Sequence, residues 1–196
     1  MIVLGVDPGT RRTGLGTVRV DGRRETMLGV ETVRLGADLD HALRLQRIYE
    51  GVLAAIDAHH PDEVAVELPF MGKNAQSMLK LGRAQAAVML AAMHREVPVA
   101  QYAPAEVKKA VVGNGRASKD QVGFMVRSRL GLADDHGEDA HDALAVALCH
   151  GARLAGGPAA LAGPPRPRPT RGAGSRRTGP AKTWADFVEK NPGRVR

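Results

Sequence analysis

The chain has 196 residues, a formal net charge of +7 and a single cysteine, Cys149, which excludes a disulfide framework and a cysteine-rich zinc site. Its length fits one ordinary domain plus an appendage, and such a domain folds without cross-links. The longest apolar run, Ala86–Met93, is far shorter than the ~18 residues of a membrane span, and the chain starts without a basic leader, so we expect a soluble cytoplasmic protein with no membrane partner.

The first predicted strand ends in a carboxylate. Residues Ile2–Val6 are mostly apolar, and Asp7-Pro8-Gly9 then ends the strand with residues typical of a turn. Open sheets commonly bind ligands at the carboxyl ends of their strands. Asp7 is therefore a candidate site residue, although an aspartate in this position also has a simple role in starting a turn.

A predicted hairpin, a helix and a second acidic strand follow. Thr13–Val20 and Glu25–Leu35 are predicted strands joined at Asp21-Gly22, which is a strong hairpin signal. Leu39–His59 repeats apolar residues at helical spacing. The next predicted strand, Asp62–Glu67, again finishes in a carboxylate, Glu67.

The rest of the domain alternates helices with one more strand. A loop over Leu68–Asn74 leads into a predicted helix over Ala75–Glu96 that is apolar nearly all round, which is typical of a deeply buried helix or of one shared with a second subunit. The remaining predicted elements are a strand at Pro98–Tyr102 and helices at Ala105–Val112, from a Ser118 cap through Leu130, and at Gly137–Leu154. This order predicts an α/β fold with a mixed five-stranded sheet and helices on both faces.

The positive charge is concentrated in a C-terminal tail. From residue 151 onward ten Arg and Lys stand against two acids, whereas residues 1–150 contain 18 basic and 19 acidic residues. Twelve of the 25 residues in Gly156–Pro180 are Gly or Pro, so we expect a folded domain over 1–155 and a flexible basic tail over 156–196 that adds nonspecific affinity for nucleic acid. Near the end, Thr183–Lys190 contains Trp184 and is either a short partner-docking helix or plain tail.

Four carboxylates form a candidate site. Asp7 and Glu67 follow strands, while Asp139 and Asp142 share one face at the start of the last predicted helix. Carboxylates gathered at one end of a sheet repel one another unless cations neutralise them, and oxygen ligands favour Mg²⁺ or Mn²⁺ over zinc. Two such ions activate a water and stabilise the leaving oxygen of a phosphodiester. Acids near a helix N-terminus are also common for dipole reasons alone.

Four blocks of the sequence resemble the RuvC family of bacterial Holliday-junction resolvases. They are VLGVDPGTRRTGLG, VELPFMGKNAQSMLKLGRAQ, VKKAVVGNGRASKDQV and EDAHDALAVAL, and they occur in order over nearly all of residues 1–155. The resemblance implies a ribonuclease H-like fold, a homodimer, and metal-dependent nicking of two like strands of a four-way DNA junction in recombination and repair. It also implies a branch-migration motor of the RuvA and RuvB type as a partner.

The resemblance assigns roles to individual residues. It implies that Asp7, Glu67, Asp139 and Asp142 are catalytic ligands of two Mg²⁺ ions, with Mn²⁺ as a possible substitute. Lys108 and Lys119 match catalytic lysines at the scissile strand, and Phe70 matches an aromatic near the junction centre. The alternative interpretation of Phe70 is that its ring makes a contact at the edge of the apolar core.

Several basic residues and two histidines are weaker candidates. The phosphate-binding candidates are Arg11, Arg12, Lys73, Lys80 and Arg83. His141 lies inside the acidic motif but off the face that carries Asp142, so it flanks the site or assists proton transfer. His136, three residues before Asp139, is somewhat better placed for such assistance.

Two other functions compete with the nuclease. The DPGT motif also resembles the phosphate loop of actin-like and Hsp70-like ATPases, but those proteins need two comparable domains and a second phosphate loop, for which the chain is too short. A junction-binding protein without cleavage activity is the other alternative. Incubation of four-way DNA with Mg²⁺ separates that protein from a nuclease.

Overall fold

The computed structural model describes residues 1–36, 38–69, 74–133 and 136–154. In chain order its elements are β1 (Ile2–Asp7), β2 (Arg12–Asp21), β3 (Arg24–Arg34), α1 (His41–His59), β4 (Glu63–Glu67), α2 (Ala75–His94), β5 (Val99–Tyr102), α3 (Pro104–Val112), α4 (Lys119–Leu130) and α5 (Glu138–Leu154). Every strand and helix predicted for this part of the chain is present, so these predictions are confirmed. The tail over 156–196, including Trp184, lies outside the described residues, and the predicted domain boundary remains a prediction.

The strands form one mixed sheet. Its order is β3-β2-β1-β4-β5. Strands β1, β2 and β3 pair antiparallel as a meander, whereas β1 with β4 and β4 with β5 pair parallel. The ends of β1 and β4 therefore lie side by side in the middle of the sheet.

Two apolar cores lie on opposite faces of this sheet. On one face, Val3 and Ala65 join a cluster with residues of α3, α4 and α5 such as Leu144. On the other face, Leu4 and Val88 belong to a cluster formed with α1 and α2. Neighbouring residues of β1 thus point to opposite faces, as strand geometry requires, and both faces are covered by helices.

Helix α5 lies directly against β1 and β2. A Cβ atom added to Gly5 would stand 2.1 Å from the carbonyl oxygen of Ala143, and one added to Gly14 would stand 2.0 Å from that of Asp139. Only glycine permits this approach, because any Cβ atom would force the helix away from the sheet. The contact holds the first turns of α5 beside the end of β1.

Helix α1 begins two residues later than the apolar pattern predicts. Asp40 caps it, since its Oδ1 accepts a hydrogen bond of 2.8 Å from the backbone N–H of Leu43. None of the helices in the described part of the chain is long and apolar enough to cross a membrane.

Candidate active site

Asp7 and Glu67 end neighbouring parallel strands. Val6 is in register with Val66 in the β1–β4 pair, so the two carboxylates follow at the same edge of the sheet. Side chains alternate along a strand, and position 7 therefore points to the same face as Gly5, where α5 packs. The Asp7 and Glu67 side chains share a hydrogen bond.

Burial and mutual repulsion raise the pKa of both carboxyls. Loss of solvent is the main cause for Asp7, followed by the charge of Asp142, and together they raise its pKa to about 6. Burial, followed by the charge of Asp7, raises the pKa of Glu67 to about 8. Without a cation, the pair therefore retains a proton at neutral pH.

The first turns of α5 bring two more carboxylates to this edge. The charges of Asp139 and Asp142 both raise the pKa of Asp7, and that of Asp142 has the larger effect. Lys119 donates from Nζ to Oδ2 of Asp142 over 2.9 Å. Arg12 donates from Nη1 to Oδ2 of Asp139 over 3.3 Å. The structure thus brings all four predicted acids to one edge of the sheet. The two acids of α5, Asp139 and Asp142, each have a cationic partner.

A cavity of about 240 Å³ opens between these groups. Among the residues that line it are Asp7, Glu67, Asp142, Lys108 and Lys119. Three of the predicted acids and both predicted lysines therefore share one solvent-accessible space. A phosphodiester in this cavity would meet both carboxylates and ammonium groups.

The position of Lys119 follows from a capping box. The Oγ of Ser118 accepts from the Gln121 backbone N–H over 3.2 Å, and the Gln121 side chain accepts from the Ser118 N–H over 2.9 Å. This arrangement confirms the predicted cap and makes Lys119 the first residue of α4. Asp142 hydrogen-bonds the Lys119 ammonium and raises its pKa, so the lysine stays charged.

The chemistry of the donor set fits a divalent cation. Within residues 1–36, 38–69, 74–133 and 136–154, no three Asp, Glu, His or Cys side chains lie close enough to hold one metal ion as they stand. Asp7, Glu67 and Asp142 nevertheless line one cavity and supply only carboxylate oxygens, which suit hard cations such as Mg²⁺. Binding such an ion would displace the proton that Asp7 and Glu67 retain.

The other predicted residues lie away from this cavity or outside the described residues. Phe70 and Lys73 fall outside the described residues. Arg11 and Arg83 are exposed, and neither lines the cavities of about 200 and 240 Å³ that contain Asp7. Lys80 lines a separate groove beside the turn that follows Asp7.

The two histidines of the acidic segment differ in their surroundings. His136 is exposed. His141 is buried, with 5% of its surface exposed, and lines a cavity of about 190 Å³ together with Lys119 and Asp142. The helical angle alone predicted that His141 flanks the site and did not indicate its burial.

Gln85 was not predicted as a site residue. It is a buried polar residue of α2, and it lines a cavity of about 200 Å³ that also contacts Asp7 and Glu67. Its Nε2 donates to Oε1 of Gln101 over 2.8 Å. The one available signal in the sequence was a glutamine with alanines on both sides of it, on a helix that is apolar over much of its circumference.

Comparison with known proteins places these features in a family. Residues 3–150 match the family model described as crossover junction endodeoxyribonuclease RuvC. A relative with that name from Salinibacter ruber is 51% identical over 196 residues, covering 100% of this chain and 99% of its own.

Solved structures show the same relationship. The structure of Thermus thermophilus RuvC in complex with a Holliday junction substrate matches with a TM-score of 0.75 and 38% identity, over 80% of this chain and 96% of that one. The yeast mitochondrial Holliday junction resolvase Ydc2 matches with a TM-score of 0.55 and 8% identity, over 76% and 78% of the two chains. This second likeness concerns the fold alone.

Proposed function

This chain belongs to the RuvC family of crossover junction endodeoxyribonucleases, and we propose that the Asp7–Glu67 centre is where it hydrolyses the phosphodiester bonds of a four-way DNA junction. It is a junction-resolving DNA nuclease with the ribonuclease H-like fold that the sequence predicted. The observation that supports our choice of site is the shared cavity. Asp7, Glu67 and Asp142 line it together with Lys108 and Lys119.

The carboxylates have a binding role in this proposal. Asp7, Glu67 and Asp142 would hold divalent ions, and Asp139 completes the acidic edge from the first turn of α5. Two bound Mg²⁺ ions, or Mn²⁺ in their place, supply activation of the attacking water and stabilisation of the leaving oxygen. Because the acids belong to β1, β4 and α5, their backbones are held by regular structure, which would fix the bound ions and the scissile phosphate in one orientation.

The two lysines act on the phosphate. The Lys119 ammonium donates to Asp142 and lines the cavity, where it would also donate to a phosphate oxygen. Lys108 lines the same cavity from α3. Both positive charges would offset the negative charge that develops on the phosphate in the transition state.

A homodimer would place two such sites on one junction. Helix α2 exposes an apolar stripe, defined as Leu79, Ala86, Leu90 and Met93, which lies within an arc of about 60° at 100° per residue. Its three large members, Leu79, Leu90 and Met93, are 56%, 59% and 65% exposed. We infer that a second copy of the chain covers this stripe, so that like strands are nicked in pairs.

Several expectations stay predictions. They concern stacking by Phe70, phosphate contacts by Arg11, Lys73 and Arg83, docking on a branch-migration motor of the RuvA and RuvB type, and a cytoplasmic location. Lys80 is considered separately below.

A nicking assay tests the site. Full-length protein is incubated with labelled mobile and fixed four-way junctions beside plain duplex, in Mg²⁺, Mn²⁺ or EDTA. We expect paired nicks in the junctions with either ion and none in EDTA. Asp7→Asn should lower the nicking rate by about a hundredfold or more, because it removes a charged ligand, while junction binding remains.

Asp21→Asn is the matched control. It makes the same chemical change at an exposed side chain at the end of β2, at the opposite end of the β1–β2 pair from Asp7. Near-normal nicking by Asp7→Asn would contradict the assignment of the site. Junction binding without nicks under either ion would instead favour a binding protein that lacks cleavage activity.

A further inference from the structure

A second groove borders the proposed active site. Its volume is about 180 Å³, and its walls are the turn after Asp7, with Gly9 and Thr10, together with α1 and α2. Lys80 and Ala84 contribute the α2 side. The groove shares no residue with the cavity that holds the catalytic acids and lysines.

Apart from Thr10, the polar residues that line this groove are basic. His41, Arg44 and Lys80 line it, and no carboxylate occurs among its lining residues in the described part of the chain. This sign of charge contrasts with that of the acidic cavity beside it. An anionic ligand would enter the groove without repulsion from its walls.

Arg44 connects α1 to the turn that follows Asp7. Its Nε donates to the Leu39 carbonyl over 3.0 Å, and its Nη1 donates to the Thr10 carbonyl over 3.5 Å. These bonds hold the guanidinium next to the turn that leaves Asp7. Arg44 therefore positions the groove in addition to supplying charge.

His41 has an unmet polar atom. Its Nε2 is shielded from solvent and has no hydrogen-bond partner among the described residues. A buried polar atom without a partner lowers stability unless a ligand or water satisfies it. A phosphate oxygen in the groove would give His41 such a partner.

The location of the groove indicates which anion it takes. Thr10 follows Asp7 by three residues, so their Cα atoms are at most about 11 Å apart. Phosphates follow one another along a DNA strand at about 3.4 Å of axial rise. A strand with its scissile phosphate at Asp7 would therefore bring a nearby phosphate to the groove.

We propose that this groove is a second phosphate subsite, in which Lys80 and His41 bind a backbone phosphodiester flanking the scissile one and Arg44 positions them. The proposal rests on the proposed function, because it takes Asp7 as the point of cleavage. The subsite fixes the register of the strand and carries no base specificity.

Methylphosphonate interference tests the subsite. Neutral methylphosphonates are placed one at a time along the strand on each side of the scissile phosphate of a fixed junction, and binding is measured in EDTA so that the DNA stays intact. With the wild-type chain, we expect one flanking position to weaken binding by about tenfold. Lys80→Gln should weaken binding to the unmodified junction by a similar factor, and the same methylphosphonate should then have no further effect.

Two variants sharpen the result. His41→Leu fills similar space without a polar atom and should lose coupling at the same phosphate. Arg19→Gln removes one exposed positive charge where β2 pairs with Ile2, at the opposite end of β1 from Asp7, and should keep the full methylphosphonate effect.

The possible outcomes separate this proposal from the function. If every methylphosphonate weakens junction binding by Lys80→Gln and His41→Leu as much as it weakens binding by the wild type, the subsite is wrong. Junction nicking in Mg²⁺ would still support the active site in that case. If Arg19→Gln loses the effect as well, the loss is one of general charge and the subsite is again wrong. A wild-type chain that neither binds nor nicks junctions overturns both.

Discussion

At the Asp7–Glu67 pair, the raised pKa values link stability to pH. A carboxyl whose pKa is higher in the folded than in the unfolded chain binds its proton more tightly when folded. Without metal, the free energy of unfolding should therefore fall as pH rises from about 4, the unfolded value, through the folded values of about 6 and about 8. Each tenfold change in proton affinity corresponds to about 1.4 kcal/mol.

Urea unfolding in EDTA at a series of pH values measures this effect. Glu67→Gln should flatten the curve between about pH 6 and about pH 8, where Glu67 is the carboxyl that loses its proton. Glu31→Gln, an exposed change on β3, should leave the curve unaltered. Mg²⁺ should stabilise the wild type more at the alkaline end, because the cation binds the deprotonated carboxylates. A flat wild-type curve would mean that Asp7 and Glu67 do not interact as described.

The residues of the site differ in how far the sequence predicted them. Asp7 and Glu67 could be predicted because each directly follows an apolar strand and ends it. The partners of the other two acids could not. Arg12 and Asp139 are 127 positions apart, and no local pattern indicates a contact over that separation. His41 and Arg44 were hidden because basic residues on an amphipathic helix usually face solvent.

At the scale of elements, the packing of α5 on β1 decides whether the acids meet. Gly5→Ala should lower the free energy of unfolding by about 1–3 kcal/mol, because the new methyl group overlaps the α5 backbone. Urea unfolding measures the loss. Gly123→Ala is the matched control, since a Cβ atom there would stand 3.7 Å from its nearest neighbour, His141 Nδ1, and should be neutral or stabilising. Equal stability of the two variants would contradict this account of the interface.

The apolar stripe of α2 gives a second prediction at this scale. Leu90→Glu places a charge in the proposed dimer interface, so light scattering should show a monomer where the wild type is a dimer. Phe124→Glu makes an equally exposed change on α4, where Phe124 is 63% exposed, and should leave the dimer intact. A monomeric wild type at working concentrations, or a dimeric Leu90→Glu, would refute the assignment.

The elements themselves could be predicted, but their arrangement only in part. Apolar spacing gave α1, α2 and α5 because each buries one side against the sheet, and turn residues gave the β2–β3 hairpin. The start of α1 was missed because the apolar pattern extends to Leu39, before the Asp40 cap. The strand order depends on crossovers between distant segments, which periodicity does not encode.

Over the whole molecule, charge is divided between the nearly neutral residues 1–150 and the basic residues that follow them. Residues 157–196 contain nine Arg and Lys and two acids. We expect deletion of 157–196 to weaken binding to plain duplex and to reduce the dependence of log K on log salt by up to about 0.9 for each lost phosphate contact. Binding titrations at several salt concentrations measure both effects. At a saturating concentration of junction DNA, nicking should continue, because the described catalytic acids and lysines all lie before residue 143.

A tail of equal length with its nine Arg and Lys changed to Gln separates charge from docking. If the tail acts through its charge, this variant should bind duplex as weakly as the deletion, since a neutral chain of the same length releases no counterions from DNA. Wild-type affinity in the Gln variant would show that the tail acts through its sequence, and Trp184→Ala would then be the next change to make. Complete loss of nicking on deletion would mean that catalysis itself needs residues beyond 156.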